Sequence, residues 1–218
     1  VAYINNQSNK VAFSWFPNAK HQVNFGAEAT VYDFEPFSVR ADFIDSAIAD
    51  ISIELQNEYA VEPSFYIEDN WKINDRLTVR GGLRYSSFYN IGARDVVNYN
   101  PTSAGTYRNE RIIDTTSYSS GDIISAFEGL QGLEPRLAIN YRSSENSSVK
   151  LSYNRMRQYI HLISNTTSSL PIDTWRPAGQ YIKPGTADQV AIGVNRNFKN
   201  GEWQLSLETY YKSMRDLV

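Results

Sequence analysis

The stretch Ser64–Asn90, SFYIEDNWKINDRLTVRGGLRYSSFYN, decides the fold. Leu77, Val79, Gly81, Leu83 and Tyr85 share one parity; Arg76, Thr78, Arg80, Gly82 and Arg84 share the other. A period of two marks a strand with one apolar and one polar side, because successive side chains point to opposite faces. The preceding half repeats it, with Phe65, Ile67, Trp71 and Ile73 opposite Tyr66, Glu68, Asn70 and Lys72. Between the halves lies Asn74-Asp75, whose side chains cap turns and tolerate positive φ. Ile73 and Leu77 share a face, so the loop holds an odd number of residues, most simply Asn74 to Arg76. The stretch predicts a long hairpin, apolar on one side and charged on the other.

Outward from this hairpin the same alternation recurs. Towards the N-terminus it covers Val11, Phe13 and Trp15, then Val23, Phe25, Ala27, Ala29 and Val31. Towards the C-terminus it covers Leu137, Ile139 and Tyr141, then Val149, Leu151 and Tyr153. The last pair is Val190, Ile192, Val194 and Phe198 with Trp203, Leu205 and Leu207, joined at Asn200-Gly201, a strong type I′ hairpin signal. Short turns are predicted near residues 17–20, 74–76, 143–147 and 200–201. Three long polar stretches separate the hairpins: Glu35 to Ala60, Ile91 to Glu134, and Ser164 to Thr186. In the first, Ile44 to Leu55 can hold a short strand or a helical turn.

Eight strands are thus joined by short and long connections in strict alternation. All tight turns then lie at one end of the sheet and all long loops at the other, as in transmembrane barrels. Trp15, Trp71 and Trp203, with Phe16, Tyr141 and Phe198, sit beside the short turns. Phe34, Phe65, Phe88, Tyr89, Tyr159 and Tyr211 sit at the long-loop ends. Two aromatic rings around an apolar band match the girdles at the membrane interfaces. The expected fold is all-β, an antiparallel transmembrane meander with odd residues of 23–31, 77–85 and 203–207 facing lipid, together with even residues of 190–194. Asp69 falls on that lipid side, where an acid carries a depth-dependent cost; a bulge or a hydrogen bond near the interface would relieve it.

Composition is compatible. The 218 residues contain 15 Tyr and 10 Phe, which favour strands, and no Cys, which excludes disulfides and thiolate metal sites. A net charge of −3 without basic clusters argues against a nucleic-acid partner. No apolar run reaches the length of a membrane helix, but a barrel strand needs only about ten alternating residues. The opening on Val1, without Met or a signal peptide, fits a mature or truncated piece.

The run Phe65 to Ile73, then Leu77-Thr78-Val79 and Gly82-Leu83-Arg84-Tyr85, resembles the barrel hairpin of TonB-dependent outer-membrane receptors, in the style of Bacteroidetes-like bacteria. Glu134-Pro135-Arg136, Tyr153-Asn154-Arg155 and Asp188-Gln189 with Gly193 resemble later strands of that family. The resemblance covers most of the chain from Trp15 onward. It implies a barrel of roughly twenty-two strands, a plug domain, and uptake driven by an inner-membrane TonB complex. Outer-membrane lipid and a surface lipoprotein are further implied partners. Residues 1–218 then form part of one barrel domain, with eight strands and no plug or closing strand. The function expected is TonB-dependent uptake of a nutrient or chelate. The alternatives are a complete eight-stranded barrel serving as an adhesin or structural protein, and a soluble carbohydrate-binding β-sandwich.

Nothing in the sequence assembles an enzyme. His21 lies in a short turn and His161 at a strand end; Ser164, three residues on, has opposite parity. No GxSxG, HExxH or phosphate-binding glycine loop appears, and no cofactor or metal site is expected. Two sets of candidate site residues remain. Arg76, Arg80 and Arg84 share the polar face with Glu68, either as a lumen wall that guides an anionic substrate or contacts a plug, or as a structural ion-pair ladder. Trp175, Arg176, Tyr181 and Lys183 concentrate aromatics and cations in a long-loop segment, as binding hot spots do; a self-packed loop is the equal alternative.

Overall fold

The computed structural model describes residues 3–36, 38–41, 51–54, 56–99, 112–124, 130–164, 173–198 and 201–217. In chain order the strands are β1 (Tyr3–Asn18), β2 (His21–Glu35), β3 (Ser38–Ala41), β4 (Ile51–Glu54), β5 (Glu58–Lys72), β6 (Leu77–Ser87), β7 (Tyr89–Ile91) and β8 (Arg94–Tyr99). They continue as β9 (Ile112–Tyr118), β10 (Gln131–Ser144), β11 (Ser147–Gln158), β12 (Ile160–Ser164), β13 (Asp173–Pro177), β14 (Gly185–Phe198) and β15 (Trp203–Arg215). Eight of them form one antiparallel meander, β1-β2-β5-β6-β10-β11-β14-β15, and β7 adds to β5.

Register carries one apolar face through the whole sheet. Trp15 pairs with Val23, Phe25 with Ile67, Ile67 with Leu83, Val79 with Ile139, Ile139 with Leu151, Leu151 with Ile192, and Val194 with Leu207. Among the described residues no second sheet covers this face. Val11, Phe65 and Leu207 are 58%, 61% and 69% exposed. Contiguous apolar exposure on that scale belongs against lipid rather than water.

Asp69 breaks the face and is answered locally. It pairs with Val23 next to the short-turn end, where the His21 ring nitrogen Nδ1 lies 2.6 Å from its carboxylate. The His21 ring stacks on Trp71 with centroids 5.3 Å apart. The hydrogen bond expected for this acid is supplied by the first residue of β2.

The tight turns fall where the turn residues place them. Asn74 Oδ1 accepts from the backbone N–H groups of Arg76 and Leu77 at 2.8 and 2.9 Å, closing the 74–76 loop. Gly201 has φ of 99°, and Phe198 pairs with Trp203 across that turn. Lys199 and Asn200 lie outside the described residues. Register shifts occur between Trp15 and Asn18 and between Arg142 and Ser144, each beside a turn.

The long connections are more ordered than a polar loop: each carries a hairpin, β3–β4, β8–β9 and β12–β13, and β4 is the short strand that Ile44 to Leu55 could hold. Phe34, Phe88 and Tyr159, expected in the outer aromatic ring, are instead 2% exposed on the other side of the sheet. They form a cluster with Ala60, Leu130 and Ala178, and Phe88 stacks on Tyr159 at 5.2 Å. Parity explains Phe34, which takes the even, polar-face position of β2; a polar face can carry an apolar cluster where connections fold over it. The β12–β13 hairpin is seated by His161, which is 5% exposed with Nε2 unpartnered. Burial pushes the His161 imidazole below its ordinary value, partly offset by a hydrogen bond with the Lys183 backbone.

Glycines admit large side chains on the polar face. Tyr66 lies across Gly26, where a Cβ would sit 2.9 Å from the tyrosine hydroxyl and would meet the Val11 carbonyl. Likewise the Arg157 guanidinium occupies the space above Gly132. The β10–β11 ladder ends at Arg136–Asn154, although β10 continues to Gln131 along β6 and β11 to Gln158 along β14. Arg142 donates its N–H to Arg76 beside β6, so alternation turns residue 135 towards β11. Pro135 has no N–H to donate there, and the ladder stops beside it.

Three outcomes follow from these features. Ile192→Arg should destabilise the protein in lipid vesicles by about 2–4 kcal/mol if it lies near the midplane; Asn195→Arg, on the same strand's other face, should cost far less. Denaturant titration of both variants checks the face assignment. Gly201→Val should lower stability by on the order of 1–3 kcal/mol because a β-branched residue is forced to positive φ, read in the same titration. Burial disfavours the charged His161 imidazole in the folded hairpin, so no penalty exists above its ordinary value near 6.5. As pH falls below that value, the opened hairpin takes up a proton that the closed one resists, and stability is lost. Protection factors for amide exchange, corrected for the intrinsic slowing of exchange at low pH, should be smaller across 160–163 and 174–176 at pH 5 than at pH 7.5, and His161→Gln should flatten that response.

Candidate functional site

The polar face carries a charge network built from cross-strand neighbours. Arg80 reaches Glu68 through Nε at 3.2 Å and through Nη2, and Asn24 Nδ2 donates to Glu68 at 3.4 Å. Arg84 turns elsewhere: its Nη2 donates to Ser64 Oγ at 3.1 Å and lies 3.6 Å from Glu62. Arg76 stands in the 74–76 turn, outside the wall. The structure therefore joins Arg80 to Glu68, gives Arg84 other partners, and leaves Arg76 apart.

Around these pairs lies a hollow of about 390 Å³ lined by Lys10, Glu28, Tyr66, Glu68, Arg80 and Arg136, among others. Lys10 sits over the Tyr66 ring, 5.4 Å from its centroid. Both signs of charge are present and mostly paired, which suits contact with a polar body at least as well as attraction of one ion. Nearer the long connections, Tyr32 donates to Glu62 at 3.0 Å, and Ser86 links Glu134 at 2.6 Å to Tyr159 at 2.8 Å.

At the long-connection end a second cavity, of about 580 Å³, lies among β5, β8, β13 and the turn after β13. Its floor is Glu58, 6% exposed, on which two arginines converge. Arg176 Nη1 is 2.7 Å from Glu58 Oε1, and Arg94 Nη1 is 3.3 Å from the same oxygen. A buried carboxylate needs such partners, and removing one leaves an uncompensated charge. The clamp ties two hairpins to the first residue of β5. Asn90 Nδ2 adds a bond to the Ala178 carbonyl at 2.8 Å. Tyr181 packs edge-on against Tyr99 at 5.7 Å; its hydroxyl accepts from the Tyr99 N–H at 3.0 Å and bonds the Val97 carbonyl at 3.2 Å.

Of the four long-loop candidates, Arg176 and Tyr181 line this cavity. Trp175 is exposed opposite Leu162 on the β12–β13 hairpin, and Lys183 is exposed beyond the turn. Glu58 and Arg94 went unrecognised because nothing local marks them. Glu58 meets Arg176 across 118 residues of sequence, and only the strand order brings them together.

A family-wide profile described as "TonB dependent receptor-like, beta-barrel" matches residues 2–218. No curated protein matches the sequence. Among solved structures, the FrpB iron transporter of Neisseria meningitidis, apoprotein form, aligns at 15% identity and TM-score 0.59, covering 99% of this chain and 30% of that one. The copper transporter OprC aligns at 12% identity and TM-score 0.62, covering 99% and 31%. The ferric-catecholate import receptor Fiu of E. coli K12, closed form, aligns at 15% identity and TM-score 0.55, covering 99% and 32%. At these identities the likeness is one of fold, and this chain spans about three-tenths of each of those proteins. The profile runs through every strand of the meander, and the chain belongs to the TonB-dependent receptor-like β-barrel family of the bacterial outer membrane.

Proposed function

We propose that the protein performs ligand-gated, TonB-dependent uptake of a nutrient or chelate across the outer membrane. The observation that carries this is the cap: at the long-connection end, hairpins clamped on Glu58 line an open hollow of about 580 Å³, within the 300–1,000 Å³ range of small-ligand pockets. Arg176 and Tyr181 contact the ligand there, with Trp175 and Lys183 meeting it from the exposed hairpin and turn. The Arg80–Glu68 wall faces the plug domain, and the TonB complex and a surface lipoprotein act through other parts of the receptor. Iron and copper transporters among the structural neighbours favour a metal-bearing cargo as the first class to try.

Two rival functions fare worse on particular observations. A complete eight-stranded barrel needs β1 to pair with β15; among the described residues β1 pairs only with β2, and β15 only with β14. A soluble sandwich needs a second sheet over the apolar face.

Deleting the gene should impair growth on at least one member of a panel of ferric chelates and copper salts, and uptake of that compound should stop when TonB is absent. In the restored strain, Arg176→Ala with Tyr181→Ala should cut ligand affinity by on the order of tenfold while the barrel's heat-modifiable gel mobility is unchanged. Unimpaired growth on every compound would rule out a metal-bearing cargo, and TonB-independent uptake would refute the proposal.

A further inference from the structure

A second ionic cluster lies on the opposite side of the wall from the polar face. Along β11, β14 and β15 the apolar face rises from the short turns to the row Tyr153, Val190 and Tyr211. One step beyond, on the same face, stand Arg155 and Asp188, followed by Arg215. Asp188 accepts from Arg155 Nε at 2.7 Å and Nη2 at 3.2 Å, from Arg215 Nη2 at 2.7 Å, and from the Tyr153 hydroxyl at 2.8 Å.

One two-point arginine would suffice to satisfy this carboxylate. The second leaves the cluster with a net positive charge. Each guanidinium has five N–H donors, of which Asp188 takes two from Arg155 and one from Arg215. Inside the hydrocarbon such surplus charge would cost several kcal/mol, whereas near the interface the cost falls almost to zero. The tyrosine row below it marks that interface. The cluster is therefore at the height of lipid headgroups on the long-loop side.

Forked, planar donors suit phosphate oxygens in particular, and basic clusters at a membrane surface draw anionic headgroups. We propose that Arg155 and Arg215, oriented by Asp188, bind the phosphate of an outer-leaflet lipid. The proposal rests on the membrane placement of the apolar face.

The test uses the full-length receptor in phosphatidylcholine nanodiscs doped with bisphosphorylated lipid A or its dephosphorylated counterpart, with retained lipid counted by native mass spectrometry. The wild type should prefer the phosphorylated form by on the order of tenfold. Arg155→Gln with Arg215→Gln should erase that preference without reducing retained phosphatidylcholine, and Lys72→Gln at the short-turn end should leave it intact. If the double variant fails to assemble, Arg215→Gln alone, which leaves the two-point Arg155–Asp188 pair in place, should still lower the preference severalfold. An unchanged preference in the variants overturns the site, as does ready displacement of lipid A by millimolar inorganic phosphate. If the receptor retains no lipid of any class, it is the membrane placement that fails.

Discussion

A bilayer offers no hydrogen bonds to a polypeptide backbone, so every strand that crosses it must be partnered by another strand. Strand pairing alone is not enough, because the register must also deliver apolar side chains to one face. With a side-chain period of two, a slip of one residue at any of the seven interfaces would turn the rest of the sheet inside out. The registers avoid this along the whole length of the meander. The two irregularities within its pairings lie beside turns, at Trp15–Asn18 and Arg142–Ser144, where a shift ends with the strand and propagates nowhere.

This same periodicity made the wall legible from sequence. Apolar alternation located all eight strands, Asn74 and Gly201 located two turns, and the aromatic bias towards both ends suggested a membrane. The limits were equally physical. Parity says which residues share a face but not what lies above that face, so Phe34, Phe88 and Tyr159 looked like girdle residues when they are core. Asp69 looked anomalous because its partner His21 belongs to another strand. The hairpins within the connections have short, mixed-polarity strands without a clean period. The Glu58 clamp, which shapes the candidate site, depends on contacts across more than a hundred residues and leaves no local trace.

Wall and cap are stabilised in different ways. The wall depends on repetition, with backbone ladders and one continuous apolar surface. The cap depends on a few unlike contacts: a buried carboxylate with two arginines, an amide on a carbonyl, and a stack of Phe88 on Tyr159. Such contacts hold a defined cavity without a regular sheet beneath it. They also mean that changes at Glu58 act on two hairpins at once, whereas most changes in the wall stay local.

Pro135 divides the wall mechanically. Above Arg136–Asn154 the sheet consists of two panels, one of five strands from β1 to β10 and one of three from β11 to β15. Below that point hydrogen bonds rivet the panels together; above it, among the described residues, contacts such as Tyr159 on Ser86 and Arg157 over Gly132 span the gap. A load that spreads the mouth therefore concentrates at this seam, much as a tear starts from the end of a slit. There the panels are held together by the Phe88–Tyr159 stack and the Glu58–Arg176 pair rather than by a backbone ladder.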